Sequence, residues 1–179
     1  LLTFTCSSNS AFNFYGTAMP IAGTGQEITP HHPLVPTDCS NNQNFRYGIT
    51  EHIYEVQVTL PPCGSWKISY TSGSRNPVTT LNSSGNYYIY TYLNNLKAPC
   101  NSSPVFTNKP MLIIAKGQEA CYNLGAIDAD GDSLVYSFVD PKTSSYNSIS
   151  YVSPYSGTNF LNSSTPITID STTGDMRFK

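Results

Sequence analysis

Three aspartates, Asp128, Asp130 and Asp132, alternate in GAIDADGDSLVYS, residues 125–137, just ahead of a run with strand character. That spacing admits a calcium loop, a catalytic carboxylate cluster, or a polar turn leading into a β-strand. An EF-hand is excluded: counted from Asp128, Gly131 comes too early, and Val139 stands where the closing glutamate is required. A glycosidase needs two carboxylates facing each other across a cleft, about 5–10 Å apart, which three aspartates on one tight turn do not supply. No G-x-S-x-G nucleophile motif occurs. His31 and His32 lie in a proline-flanked loop, and His52 sits beside a strand pattern. These residues point away from an enzyme. Two readings of the aspartates stay open. In one, their side chains accept hydrogen bonds from the backbone of the turn. In the other they give three or four of the six to eight oxygens that calcium takes.

The elements around them read as strands. Tyr54, Val56, Val58 and Leu60 alternate with Glu55, Gln57 and Thr59, and Trp66, Ile68 and Tyr70 alternate with Lys67, Ser69 and Thr71. NYYIYTYL, residues 86–93, is a third strand with Tyr88, Tyr90 and Tyr92 on one side, a stripe expected to be core. Met111–Ala115, Ala120–Leu124 and the face of Leu134, Tyr136 and Phe138 follow, and then ITID (167–170) and DMRFK (175–179) joined by the turn STTG. No window carries helical periodicity free of Pro, Gly or β-branched runs. Residues 7–47, rich in Gly and Pro, read as long surface loops with one strand at most. The pattern predicts an all-β chain of two tandem β-sandwich domains, 1–103 and 104–179, divided near KAPCNSSPVF (97–106). The 76 residues of the second domain fall short of the about 100 of a complete sandwich, so it is expected to be incomplete.

Charged residues are 11% of the 179, hydrophobic residues 39%, and 13 tyrosines stand against one tryptophan. Ser, Thr and Asn make up roughly a third of the chain, the composition of a neutral, hydroxyl-rich extracellular β protein. A net charge of −2 without any Lys/Arg run excludes nucleic acid as a partner. No apolar run reaches the ~18 residues of a membrane helix. The start, LLTFTCSSNS, lacks the basic segment of a signal peptide and reads as a strand already under way, so a mature or trimmed segment is expected. The five cysteines, at 6, 39, 63, 100 and 121, lack zinc-site spacing and favour disulfides in an oxidising compartment. Connectivity is not fixed by sequence. The working expectation pairs Cys6 with Cys39 and Cys63 with Cys100, leaving Cys121.

AIDADGDSLVYS resembles the A-x-D-x-D segment of cadherin-like repeats, SPVF (103–106) the x-P-x-F that opens such a repeat, and IDSTTGDM (169–176) the D-x-x-T-G turn near its end. In calcium-binding members the linker before x-P-x-F carries acidic ligands; here Asn101 alone offers a side-chain oxygen. The resemblance therefore implies Asp128, Asp130, Asp132 and Asn101 as calcium ligands, although the glutamate expected earlier is replaced by the run Ile113–Lys116. A wider resemblance covers nearly the whole chain: GTGQEITP (23–30), LPPCGSWKISY (60–70), SRN (74–76), YLNN (92–95), CNSSPVF (100–106) and the aspartate stretch, in that order. Together these resemble the large surface proteins of Bacteroidota that carry gliding-motility-associated domains and leave the cell by type IX secretion. The resemblance implies an immunoglobulin-like module followed by a cadherin-like one. It also implies O-glycosylation at Ser133 and Ser171, each following an aspartate. His32, Gly73 and Ser74 stand where the family pattern has cysteines.

The resulting expectation is a non-enzymatic, extracellular structural or adhesive module of a bacterial cell-surface protein, with other surface proteins or surface glycans as partners and calcium as the one cofactor to consider. Two alternatives remain: a component of a secretion or motility machine held by strand pairing at an open edge, and a carbohydrate-binding module of a secreted enzyme.

Overall fold

The structure is a computed structural model that describes residues 1–30, 32, 37–40, 48–110 and 112–179. Its strands are β1 (Leu2–Cys6), β2 (Phe14–Gly16), β3 (Met19–Pro20), β4 (Gln26–Glu27), β5 (Thr50–Glu51), β6 (Tyr54–Glu55), β7 (Trp66–Ser72), β8 (Tyr87–Leu93), β9 (Val105–Phe106), β10 (Ala120–Tyr122), β11 (Ala126–Ile127), β12 (Thr168–Ile169) and β13 (Met176–Phe178). Among the described residues there is no α-helix, only two short 3-10 turns, Ser10–Phe12 and Asp38–Ser40. None is long and apolar enough to cross a membrane. The chain is all-β, with several antiparallel sheets.

It divides into two compact units, Leu1–Tyr15 with Leu60–Lys179, and Gly16–Thr59. This division does not fall at the expected boundary of 103/104. Residues from both sides of that point join in the first unit: Tyr88 N–H donates to the Lys142 carbonyl at 2.9 Å, Asn82 N–H to the Ser150 carbonyl at 3.0 Å, and Val152 N–H to the Thr80 carbonyl at 3.0 Å.

The main sheet of the first unit has the order β2-β1-β7-β8. Apolar–polar alternation over β7 and the tyrosine and β-branched composition of β8 account for its two long strands. The register sets Cys6 opposite Trp66, Phe4 opposite Ile68, and Lys67 opposite Tyr92. One face closes over Trp66, which is 0% exposed. Phe14 stacks on Phe4 at 4.6 Å and meets Trp66 edge-on at 6.1 Å. The Trp66 indole N–H, a donor that cannot stay unpaired when buried, reaches the Pro61 carbonyl at 3.0 Å.

Beside Trp66 a disulfide joins Cys6 to Cys63, and both residues are buried. This replaces the expected pairing of Cys6 with Cys39 and Cys63 with Cys100; Cys39, Cys100 and Cys121 are free and exposed. The reason lies in the register: β1 lies against the start of β7, so Cys6 reaches the segment just before Trp66. Asn95 secures that segment, accepting from Cys63 N–H at 2.8 Å and donating to the Leu60 and Pro61 carbonyls.

The rest of this unit has shorter sheets, β10-β13-β12 and β11-β9. The hairpin β12–β13 turns through STTG as expected. Asp170 Oδ1 accepts from Thr172 and Thr173 N–H, both at 2.8 Å. Gly174 has φ 78°, and a Cβ there would come within 2.9 Å of the Tyr136 ring. Leu134, Tyr136 and Phe138 are half-buried while Val135 and Val139 are exposed, so the expected facing is present, but these residues form no ladder. The expected strand at 111–115 is also absent over its described residues 112–115, and Ile113 is exposed. The 134–138 run makes one backbone hydrogen bond to the chain beyond β12, Tyr136 N–H to the Ser171 carbonyl at 2.9 Å, which does not continue as a ladder. The second unit holds β3 paired with β6 and β4 paired with β5. Among their described residues, 7–47 contribute three short strands, β2, β3 and β4, where one is expected. Val56, Val58 and Leu60 keep the alternating burial but extend no ladder past Glu55.

The disulfide closes a span of 57 residues, for which chain entropy gives a stabilisation of about 4 kcal/mol. Replacing both Cys6 and Cys63 by Ser is expected to lower the unfolding free energy by about that amount in urea titration, whereas Cys39→Ser leaves it unchanged. An equal loss from Cys39→Ser would overturn the pairing.

Candidate functional site

The second face of the main sheet carries the chemistry. Alternation along β7 and β8 places Lys67, Ser69, Thr71, Tyr88, Tyr90 and Tyr92 together on it. Tyr88 N–H points away from β7, toward Lys142, so these tyrosines occupy the positions not hydrogen-bonded to β7, where facing side chains come closest. The stripe is not core as a whole. Tyr88 is buried at 9% exposure, beneath the 142–148 segment, but Tyr90 is 42% and Tyr92 61% exposed. The segment runs beside β8 at Tyr88, where a bridge to Lys142 forms, and its Ser145 reaches Lys67. Ring centroids lie 5.7 Å apart for Tyr88 and Tyr90, and 5.5 Å apart at an interplanar angle of 77° for Tyr90 and Tyr92.

Lys67 runs across this stripe. Its Nζ lies 5.2 Å from the Tyr88 ring centroid and 4.8 Å from that of Tyr90, within the range of cation–π attraction. It also donates to Ser145 Oγ at 3.0 Å. Desolvation works against the ammonium, but the Tyr88 hydroxyl and the neighbouring Tyr92 and Tyr90 outweigh it and hold Lys67 above its ordinary value. Desolvation likewise opposes ionisation of Tyr88, and hydrogen bonds from Ser69 and Ser145, together with Lys67, reverse the balance and lower it. The Lys67–Tyr88 contact enters both shifts, behind Ser69 and Ser145 in that of Tyr88. Sequence alternation finds the face but not the contact: nothing in the local pattern brings Ser145 beside Lys67. Next to this face a cleft of about 1040 Å³ is lined by Arg75, Tyr88, Tyr90, Asp140 and Lys142 among others. Arg75 holds one wall, donating to the Lys142 carbonyl at 2.8 Å and the Asn86 carbonyl at 3.2 Å.

The aspartate stretch is a turn. Asp128 Oδ1 accepts from Asp130 N–H at 2.9 Å and Asp132 N–H at 3.2 Å, and Gly131 takes φ 79°. Asp130 Oδ2 accepts from Ser102 N–H at 2.5 Å, which ties the loop to the 97–106 linker. Asn101 donates its side-chain amide to the Ser102 carbonyl at 2.8 Å. Among the described residues no group of three or more His, Cys, Asp or Glu side chains converges as a metal site. Asp128 and Asp130 each turn one carboxylate oxygen toward backbone N–H groups. Ser133 and Ser171 are both exposed. His32 and His52 are exposed as well, and His31 lies outside the described residues.

No protein family, no curated protein and no solved structure matches this chain.

Two predictions follow from the turns. Asp128→Ala is expected to cost about 1 kcal/mol of stability, read as a lower melting temperature. Asp128→Asn, whose amide oxygen accepts the same N–H groups, keeps most of it, and millimolar calcium leaves the wild-type melting temperature unmoved. Calcium stabilisation abolished by Asp128→Asn would instead show a metal site. At Asp170 the backbone N–H groups of Thr173 and Thr172 hold the carboxyl below its ordinary 3.8. The folded form therefore favours the carboxylate. Its contribution is complete above the ordinary value and is lost as pH falls through the lowered one. Acid unfolding of Asp170→Asn is expected to depend less on pH below 4 than that of the wild type.

Proposed function

We propose that the chain is a non-catalytic, extracellular adhesive module of a bacterial cell-surface protein, and that it binds through the face of β7 and β8. The observation that carries this reading is the exposure of Tyr90 and Tyr92 on a sheet whose opposite face is locked by Trp66 and the Cys6–Cys63 disulfide. Two aromatic rings kept in water on a rigid strand lose little conformational freedom on binding, which makes tyrosine an efficient contact residue. The disulfide suits an oxidising compartment, and the low charge and hydroxyl-rich composition suit an external one. The Bacteroidota resemblance supplies the setting, an exported surface protein. The hydrogen bonds from Asn95 to Leu60, Pro61 and Cys63 give two of its motifs, YLNN and LPPCGSWKISY, a shared structural task.

Beads coated with the 179-residue chain are expected to be retained on bacterial envelope material under flow, and beads coated with Tyr92→Ala to be retained several-fold less at equal coating and unchanged circular dichroism. Retention equal to that of uncoated beads, or unaffected by Tyr92→Ala, would overturn the assignment.

A further inference from the structure

An adhesive face has a ligand, and the groups on this one narrow its chemistry. The inference rests on the adhesive reading above. Lys67 carries three N–H donors. Ser145 takes one, and the Tyr88 hydroxyl is a second hydrogen-bond partner. The groups placed around its Nζ are the Ser145 hydroxyl and the rings of Tyr88 and Tyr90. The face therefore presents a positive charge set among rings and hydroxyls, in a chain of net charge −2. Around it lie rings and hydroxyls: Tyr90 and Tyr92 exposed, and Ser69 and Ser145 on the Tyr88 side.

A pyranose matches both halves of this surface. Its C–H face packs on an aromatic ring while its hydroxyls stay hydrated or bond to neighbouring hydroxyls. The rings of Tyr90 and Tyr92 meet edge to face, with centroids 5.5 Å apart, and form one joined aromatic surface. The Lys67 ammonium sets the charge.

We infer that Lys67, Tyr90 and Tyr92 form a binding site for an acidic polysaccharide, with sugar rings packed on the two tyrosines and a uronate carboxylate paired with the Lys67 ammonium. Lys67 is half-buried, and the part of the pair that meets solvent weakens with salt, while the ring contacts do not. Tyr88 is the positioning residue: buried under the 142–148 segment, it holds the ammonium in place from below.

The test is affinity electrophoresis of the 179-residue chain in gels containing polygalacturonate, the same polymer after carboxyl reduction, or poly-glutamate. Polygalacturonate is expected to retard the chain, with at least ten-fold weaker retardation by the neutral polymer and none by poly-glutamate. Tyr92→Ala and Lys67→Met each weaken binding at least ten-fold, and Tyr92→Phe, which keeps the ring, retains it. Lys67→Met keeps most of the apolar stem, and circular dichroism checks the fold of every variant. Equal retardation by poly-glutamate would reduce the site to charge alone and overturn the proposal. So would equal affinity for the neutral polymer, no binding to polygalacturonate, or binding untouched by Tyr92→Ala. Bead retention that depends on Tyr92 without polyuronate binding would leave the adhesive reading standing and remove only this ligand class.

Discussion

The burial of Trp66 against the Cys6–Cys63 disulfide is the constraint on which the main sheet depends. Few side chains in this protein are fully enclosed; Trp66 and Cys63 are the largest among the described residues. A chain so rich in Ser, Thr and Asn cannot rely on a broad apolar core. It concentrates burial at one point and ties that point covalently. The indole N–H on the Pro61 carbonyl and the Asn95 side chain on the same segment satisfy the polar groups that close packing around a tryptophan would otherwise strand. From there β1 and β7 are fixed in register, β8 follows β7, and the positions of Lys67 and the tyrosines on the far face are decided.

The two faces of this sheet show how one alternating pattern divides its work. On one side lie Phe4, Cys6, Trp66 and Ile68; on the other lie Lys67, Ser69 and three tyrosines. A slip of one residue would exchange the sets, and the disulfide opposes such a slip because Cys6 must stay opposite Trp66. The anchor therefore also sets the alignment of the charged and aromatic groups, without touching any of them.

Much of this was legible in the sequence where a strand pattern ran long enough. The strand at 66–72 appears where apolar and polar residues alternate, that at 87–93 where tyrosines and β-branched residues run together, and the STTG hairpin where an aspartate precedes a turn closed by glycine. The failures have a common cause. Runs at 112–115 and 134–138 have strand composition, but a strand exists only when a partner lies alongside, and partner choice is not local. The disulfide was misread for the same reason: neighbouring cysteines in the sequence are not neighbours once β1 pairs with β7. Tyr88, Tyr90 and Tyr92 look identical in the pattern, and only the passage of the 142–148 segment beside Tyr88 separates the buried one from the two exposed.

The disulfide also has a topological consequence. Cys6 and Cys63 flank the whole of Gly16–Thr59, so that unit is an excursion from a chain whose two ends are bonded to each other. A protease cutting anywhere within it would produce a nick and not two fragments. For a molecule exposed outside a cell, the excursion is then a sacrificial region: it can be cleaved, or replaced in descent by another loop of different length, while the sheet beyond it remains a single covalent body.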